Sequence, residues 1–327
     1  MMRLPPFRYL APRTALEAAG MLADHGADAM PVAGGTDLYP NMKRRQFEPR
    51  VLVGLRHLEG ARALSGSERG GIEIGGLATL TELSDSELVQ SGYPAIARAA
   101  GLVSSPILRN MGTVGGNLCI DTRCNYYNQN YEWREAIHFC LKKDGKTCWV
   151  APGSDRCWAI SSSDTAPVFM VLGAEVTLVG PKGERRIAVR DLYKPDGIDF
   201  TSKRRDEILT KIHVPPTQGG RATYLKLRRR GSIDFPILGV AAFLKTAADG
   251  TVEACRIVLT AVESAPVEAK EAERMLVGQK LNEELIRDAA AVAYRPAKPL
   301  DNTDLTHDYR KKMARVFVAR ALAELST

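Results

Sequence analysis

Several signatures are missing from this sequence, and each absence removes a class of function. No apolar run approaches the ~20 residues that a membrane-spanning helix needs, so no membrane association is expected. The opening MMRLPPFRYLAPRT has no apolar h-region, so no secretory leader is expected and a cytoplasmic location is. Neither G-x-G-x-x-G nor a Walker A motif occurs, which disfavours a Rossmann or P-loop nucleotide site. No H-E-x-x-H and no nucleophile–base arrangement is apparent, so substrate chemistry is expected on another chain. Zinc-finger spacing, a basic helix and an RNP-type motif are absent, so no nucleic-acid partner is expected despite a net charge of +7. The basic runs at 43–45, 203–205 and 228–230 read as solvated surface, the alternative being a nearby acidic redox partner or CoA-type substrate.

What is present is a soluble globular composition, 45% hydrophobic and 25% charged, in 327 residues, enough for two or three domains. TALEAAGMLADH (14–25) reads as an amphipathic helix, with Thr14 and Glu17 as a capping box and Gly26 as its stop. AMPVAGGTDLYP reads as a short strand followed by a Gly-Gly-Thr-Asp turn, and RVLVGL (50–55) and GIEIGG (71–76) read as strands. TLTELSDSELV and YPAIARAAGLV read as helices, and residues 112–117 as a glycine loop. From about 119 to 160 periodicity fades, and APVFMVLGAEVTLVG then suggests a buried helical turn and a strand. ATYLKLRR, ILGVAAFLKTA and VEACRIVLTAV alternate like antiparallel strands, the last two joined by a turn at Asp249-Gly250. Helices are expected near 267–277, 282–293 and 306–325. Strands followed by helices argue for an α+β C-terminal domain. VPPTQGG (214–220) is the best linker and divides the chain into 1–215 and 219–327.

Two short glycine loops, AGGTDL (33–38) and GTVGGN (112–117), could carry a cofactor. Glycine lets main-chain N–H groups approach an anion closely and point into one concavity. A pyrophosphate held between two such loops needs no lysine, and Thr36, Thr113 and Asn117 could add donors.

Five of the six cysteines crowd together as Cys119-x4-Cys124-x15-Cys140-x7-Cys148-x8-Cys157. In a reducing compartment such clustering points to metal rather than to disulfides. Structural zinc commonly uses closely spaced pairs, and no C-x-x-C occurs here. Thiolates also suit iron–sulfur clusters, which wider spacing fits better, so iron–sulfur leads, with structural zinc and no metal as the alternatives. Cys255, alone in an alternating apolar run, reads as a core residue, and His138 as a surface histidine.

Together PVAGGTDLYP, MGTVGGNLC, SSDTAPVFMVLGAEVTL and YLKLRRRGSIDFPILGVAAFL, with the lead-in PPFRYLAPRTALEA, resemble the flavoprotein subunit of the xanthine oxidase and carbon monoxide dehydrogenase family. The resemblance covers nearly the whole chain. It implies an α+β architecture: a vanillyl-alcohol-oxidase-type FAD-binding domain in two subdomains, then a CO-dehydrogenase-flavoprotein C-terminal domain. By that match Ala33, Gly34, Gly35, Thr36, Asp37 and Leu38 line the FAD diphosphate, and Thr113, Gly115, Gly116 and Asn117 form a second clamp. Asp164 would reach the adenosine side, and Lys226 would lie near the isoalloxazine, where a cation stabilises reduced anionic flavin.

In most members of that family the GGN turn and the DTAP-type stretch lie within about ten residues of each other. Here Asn117 and Asp164 are 47 positions apart, and the extra residues hold the cysteines. RCNYYNQNYEWRE…FCLKKDGKTC…SDRC is similar to the insertion of 4-hydroxybenzoyl-CoA reductase β subunits, which carries one [4Fe-4S] cluster beside FAD. That match makes Cys124, Cys140, Cys148 and Cys157 the ligands and leaves Cys119 out. It also implies that Tyr126, Tyr127, Trp133, Phe139, Trp149 and Trp158 bury the cluster. The implied assembly is a dimer of heterotrimers with a molybdopterin-binding large subunit and a small subunit holding two [2Fe-2S] clusters. In that reading a low-potential donor such as ferredoxin supplies electrons through [4Fe-4S] and FAD to molybdenum, for reductive removal of the phenolic hydroxyl. The alternative is the FAD subunit of an oxidative hydroxylase of xanthine, nicotinate or aldehyde type, with NAD or a quinone as acceptor.

Overall fold

A run apolar at every position, such as VLVG at 51–54, suits a strand covered on both faces. The computed structural model describes residues 3–326 and places that run at the centre of a small parallel sheet. The chain opens with β1 (Arg8–Leu10), α1 (Ala15–His25), β2 (Ala29–Val32), α2 (Leu38–Lys43) and β3 (Val51–Gly54). The order is β1-β3-β2, with Leu52 level with both Tyr9 and Met30. Alternation sorts the two faces: Val51 and Val53 pack on Ala18 and Leu22 of α1, and Leu52 packs on Met42 of α2. Thr14 caps α1 by accepting from Glu17 N–H at 3.1 Å, and Gly26 ends it at φ 52°. Half of the expected capping box forms, because the Glu17 carboxylate takes the N–H of Arg13 instead of Thr14.

Next come β4 (Leu64–Ser67), β5 (Gly71–Gly75), α3 (Leu80–Asp85), α4 (Glu87–Gly92), α5 (Pro94–Leu102), α6 (Pro106–Arg109), α7 (Val114–Leu118), α8 (Tyr131–Ala136), α9 (Ala166–Val171), β6 (Glu175–Gly180), β7 (Gly183–Ala188) and β8 (Ile208–Val214). The strands form an antiparallel sheet in the order β4-β5-β8-β6-β7. The one helix expected over 79–89 is two, because Ser86 leaves the helical region and caps α4. Thr79 and Glu82 form a complete capping box on α3. The expected glycine loop at 112–117 is mostly the short α7, capped by Thr113. Residues 119–165 carry only α8, in agreement with their weak periodicity.

The C-terminal domain has β9 (Arg221–Leu227), β10 (Leu238–Thr246), β11 (Val252–Thr260), β12 (Val267–Glu268), α10 (Lys270–Leu276), α11 (Glu283–Ala293) and α12 (His307–Ser326). Its sheet, β12-β11-β10-β9, is antiparallel throughout. Both faces are buried. Val240, Ala242, Leu244, Cys255, Ile257 and Leu259 pack on α10–α12, while Tyr224, Ala241, Phe243 and Val258 join the core around α5 and α9. Cys255 therefore sits in the core as expected. Arg310 of α12 is fully buried and donates to the carbonyls of Ile237 (3.2 Å), Leu300 (2.8 Å) and Ala261. Burial pulls its pKa down to about 10. Among the described residues no helix is long and apolar enough to cross a membrane.

Candidate cofactor site

Where β2 ends, residues 33–38 turn sharply and form part of the wall of a cleft of about 950 Å3. That volume is near the top of the roughly 300–1,000 Å3 range of small-molecule sites. All of residues 33–38 line the cleft, with Thr113, Gly115, Gly116, Asn117 and Asp164. The two glycine loops touch, backbone to backbone. A Cβ on Gly34 would stand 1.8 Å from the Met111 carbonyl oxygen. Gly35 has φ 71°, and a Cβ there would meet the Tyr39 ring at 2.2 Å.

The loops differ in what they offer a ligand. Among the described residues, the main-chain N–H groups of Gly34, Gly35, Thr36 and Asp37 find no main-chain acceptor. Four such donors beside one cleft fit the phosphates of a dinucleotide. In the second loop most N–H groups are already used: Val114 donates to Ala78, Gly115 to Gly76 and Gly116 to the Thr113 hydroxyl. Gly115 is there for closeness, since its Cβ would lie 2.6 Å from the Gly76 oxygen. Asn117 Oδ1 accepts from the Ser163 hydroxyl (2.8 Å), the Thr165 hydroxyl (2.7 Å) and Thr165 N–H (3.2 Å). With its oxygen committed, Asn117 has its NH2 group left for a ligand.

Asp164 and Lys226, expected at opposite ends of a flavin dinucleotide, are partners. Lys226 Nζ is 3.0 Å from Asp164 Oδ2 and donates to the Leu102 carbonyl at 2.9 Å, and the Tyr224 hydroxyl donates to Asp164 Oδ1 at 2.7 Å. Asp164 reaches the cleft wall, whereas the Lys226 side chain is fully buried and does not line it. Burial pushes the Asp164 carboxyl up and the Lys226 ammonium down, against the pull of their mutual attraction. The pair fastens β9 to the segment before α9, which is a reason for a lysine here that the alternating sequence did not reveal.

The cysteine segment packs beside the cleft. Cys124, Cys140 and Cys157 share a buried cluster with Tyr127 and Ala159, and Tyr127 also lines the cleft. Cys148 is buried within electrostatic reach of Cys124 and Cys157. Main-chain N–H groups two residues ahead favour the ionised form of three sulfurs: Ala159 donates to Cys157 at 3.4 Å, and Tyr126 and Lys142 act in the same sense on Cys124 and Cys140. Burial still prevails, pushing Cys124 to about 12, Cys157 to about 11 and Cys140 upward. Cys119 and Cys255 are raised by burial without that N–H pattern, and Cys119 lines the cleft.

Among the described residues no three histidine, cysteine or acidic side chains stand in metal-binding arrangement. The donor set nevertheless has the chemistry of a soft-metal site: four buried cysteines, apolar walls and N–H groups aimed at sulfur. The chain bends hard to deliver Cys140, with His138 and Phe139 both left-handed at φ 60° and 58°. Of the six aromatic residues expected to bury a cluster, Tyr127 is buried, while Trp133 and Trp149 are 39% and 38% exposed. Trp158 is turned aside, stacked on the Arg156 guanidinium at 3.6 Å.

Sequence reading missed the side chains that join segment to cleft. Arg123 pairs with Asp37 and lies 4.3 Å over the Phe235 ring, and burial brings its pKa down to about 10. Gln46 donates to the Tyr127 carbonyl at 2.6 Å. Lys142 Nζ donates to Asp121 Oδ1 (2.7 Å), the Thr122 hydroxyl (2.6 Å) and the Gly197 carbonyl (2.6 Å). The only hint was that Arg123 and Lys142 stand one and two residues from cysteines.

Comparison with known proteins agrees with this geometry. Residues 5–217 match the family described as the FAD binding domain in molybdopterin dehydrogenase, and residues 222–325 match the CO dehydrogenase flavoprotein C-terminal domain. The carbon monoxide dehydrogenase medium chain of Afipia carboxidovorans is 32% identical over 97% of this chain and 95% of its own length. The FAD-binding subunit of an Escherichia coli aldehyde oxidoreductase is 31% identical over 90% of this chain and 94% of its own. A chain in the structure of a cyanide-inactivated Cu,Mo-CO dehydrogenase superposes with TM-score 0.82 at 28% identity, covering 99% of both chains.

Proposed function

This chain belongs to the FAD-binding flavoproteins of the xanthine oxidase and CO dehydrogenase family, and from that premise we propose that it is an electron-transfer subunit carrying FAD and a [4Fe-4S] cluster. In this reading it serves a molybdenum-containing reductase of the 4-hydroxybenzoyl-CoA type. Electrons from a low-potential donor such as ferredoxin go by way of the cluster and FAD to partner subunits holding [2Fe-2S] clusters and molybdopterin. The observation that carries it is the cysteine group: Cys124, Cys140 and Cys157 share one buried cluster with Tyr127, which lines the cleft, and Cys148 is buried as well. An ordinary flavin subunit has no use for four buried thiols there.

FAD accepts one or two electrons and so joins one-electron carriers to a two-electron reaction. The N–H groups of residues 34–37 would bind its phosphates, and Asn117 would add a donor from the facing loop. Cys124, Cys140, Cys148 and Cys157 would hold the cluster after losing their protons, which is why three of them receive N–H groups at sulfur. Tyr127 and Phe200 line the cleft beside the cysteines and keep that wall dry.

A second reading is favoured by the relatives, among them a nicotinate dehydrogenase FAD-subunit and the aldehyde oxidoreductase subunit. It is the FAD subunit of an oxidative molybdenum hydroxylase. The test is anaerobic purification of the chain with its neighbouring subunits, followed by iron, acid-labile sulfide, zinc and flavin analysis and EPR of the dithionite-reduced protein. One FAD and four reducible irons support the relay, and zinc or no metal at the cysteines overturns it. Rapid flavin reduction by NADH favours the oxidative reading.

A further inference from the structure

Lys142 is tied to both halves of this site. Its own segment carries Cys140, while its side chain, only 6% exposed, lines the cleft. The ammonium joins two cysteine-bearing segments to a loop packed on a third cysteine. The Thr122 hydroxyl (2.6 Å) lies two residues before Cys124. Lys142 itself lies two residues after Cys140. The Gly197 carbonyl (2.6 Å) belongs to the residue whose N–H donates to the Cys157 carbonyl at 2.9 Å. Gly197 is also pressed on the cysteine itself, since a Cβ there would stand 2.6 Å from the Cys157 sulfur. The rings of Tyr127 and Phe200 flank the ammonium at 4.9 and 5.5 Å.

We propose that Lys142 is the positioning residue of the cysteine centre: one ammonium ties the segments bearing Cys124 and Cys140 to the loop packed on Cys157, beside the flavin cleft, and leaves a buried positive charge among them. This rests on the reading of the cysteines as a metal centre. The Asp121 carboxylate partners the ammonium at 2.7 Å and holds it in place. Four thiolates gathered on one metal repel each other, so a buried cation beside them favours assembly and eases reduction.

The test uses the full chain freed of iron and titrated with cobalt(II), whose thiolate charge-transfer band reports sulfur ligation without any turnover. Lys142→Met keeps the length of the side chain and removes charge and donors; Lys142→Arg keeps both. The expected result is intense thiolate–cobalt absorption in the wild type, affinity about tenfold or more weaker in Lys142→Met, and recovery to within about threefold in Lys142→Arg. In the iron-loaded protein, Lys142→Met should leave the cluster harder to reduce at a given potential, with FAD content unchanged. Wild type that binds no cobalt through sulfur overturns the metal-centre reading itself. Wild type that binds while Lys142→Met matches it in affinity and cluster potential overturns only the role of Lys142. Loss of FAD together with metal in Lys142→Met, unrepaired in Lys142→Arg, also counts against that role.

Discussion

Gly34→Ala is the sharpest probe of the cleft, because one methyl group separates two accounts of the glycine loops. If the loops are only turns, the strain of a methyl group here falls on stability and leaves ligand binding alone. If they are a pair whose contact shapes a phosphate cradle, binding suffers as well. The added Cβ would meet the Met111 carbonyl oxygen at 1.8 Å and its carbon at 2.5 Å, where ordinary contact begins at 3.4 Å. Both obstacles are main chain, so no side-chain rotation relieves them, and the loops must part by roughly 1.5 Å. Overpacking of this kind costs about 1–3 kcal/mol. If all of it falls on FAD binding, at about 1.4 kcal/mol per decade, the flavin is weakened by about five- to 150-fold. The assay is titration of deflavinated protein with FAD, followed by quenching of flavin fluorescence. Gly116→Ala is the graded comparison: its Cβ would meet only the Thr113 hydroxyl, at 2.9 Å, and a side chain can yield. Gly20→Ala is the control, with nothing within 4 Å of its Cβ in the middle of α1, and should raise stability by up to about 1 kcal/mol. A Gly34→Ala protein that binds FAD within threefold of wild type would refute the cradle.

Other outcomes follow from the same structure. Cys140→Ala should abolish the iron signal, whereas Cys119→Ala and Cys255→Ala should keep it; iron surviving in Cys140→Ala removes that residue from the ligand set. Lys226→Met leaves the Asp164 carboxylate buried without its cation and should cost about 3–5 kcal/mol in urea unfolding. Asp164→Asn with Lys226→Met should recover part of that loss, and a double-variant loss equal to the sum of the two single losses would mean that the pair does not act as a unit. Glu207, 1% exposed, carries a lowered pKa: burial opposes the shift, but Arg185 at 2.7 Å and Arg204 N–H at 2.7 Å outweigh it. A lowered carboxyl pKa stabilises the fold above the ordinary value of 4.5, and this contribution is lost as pH falls through the native pKa. Glu207→Gln should therefore lower Tm at pH 7 by an amount that shrinks as pH falls below 4.5; a difference that stays constant into acid would contradict the assignment.

The parts legible in the sequence were those written in local pattern. The strands at 51–54 and 71–75, helix α1 with its cap, and the three long C-terminal strands all follow from periodicity and punctuation. Short edge strands such as β1 and β4 were not legible: three or four residues carry no period, and β4 is mostly exposed. Strand β7, GERRIA, reads as polar because it is the last strand of its sheet and faces water. In the site, glycines and cysteines were readable because their chemistry is specific to residue type. Lys142, Arg123 and Gln46 were not, because a lysine among many becomes special only when the fold removes it from water. Lys226 was singled out and then found paired with Asp164, since a strand pattern says which face a residue is on but not what lies opposite it.

The C-terminal sheet, apolar on both sides, also governs how the molecule can be made. The core around α5 and α9 takes Tyr224, Ala241, Phe243 and Val258 from β9–β11, which are made well after both helices. Until β11 has emerged, the helices laid down by residues 94–102 and 166–171 have one flank without a cover. Multidomain chains commonly finish each domain as it is synthesised. Here the first core keeps an open flank until residues 221–260 of the second domain have been made, so the first domain cannot be completed on its own.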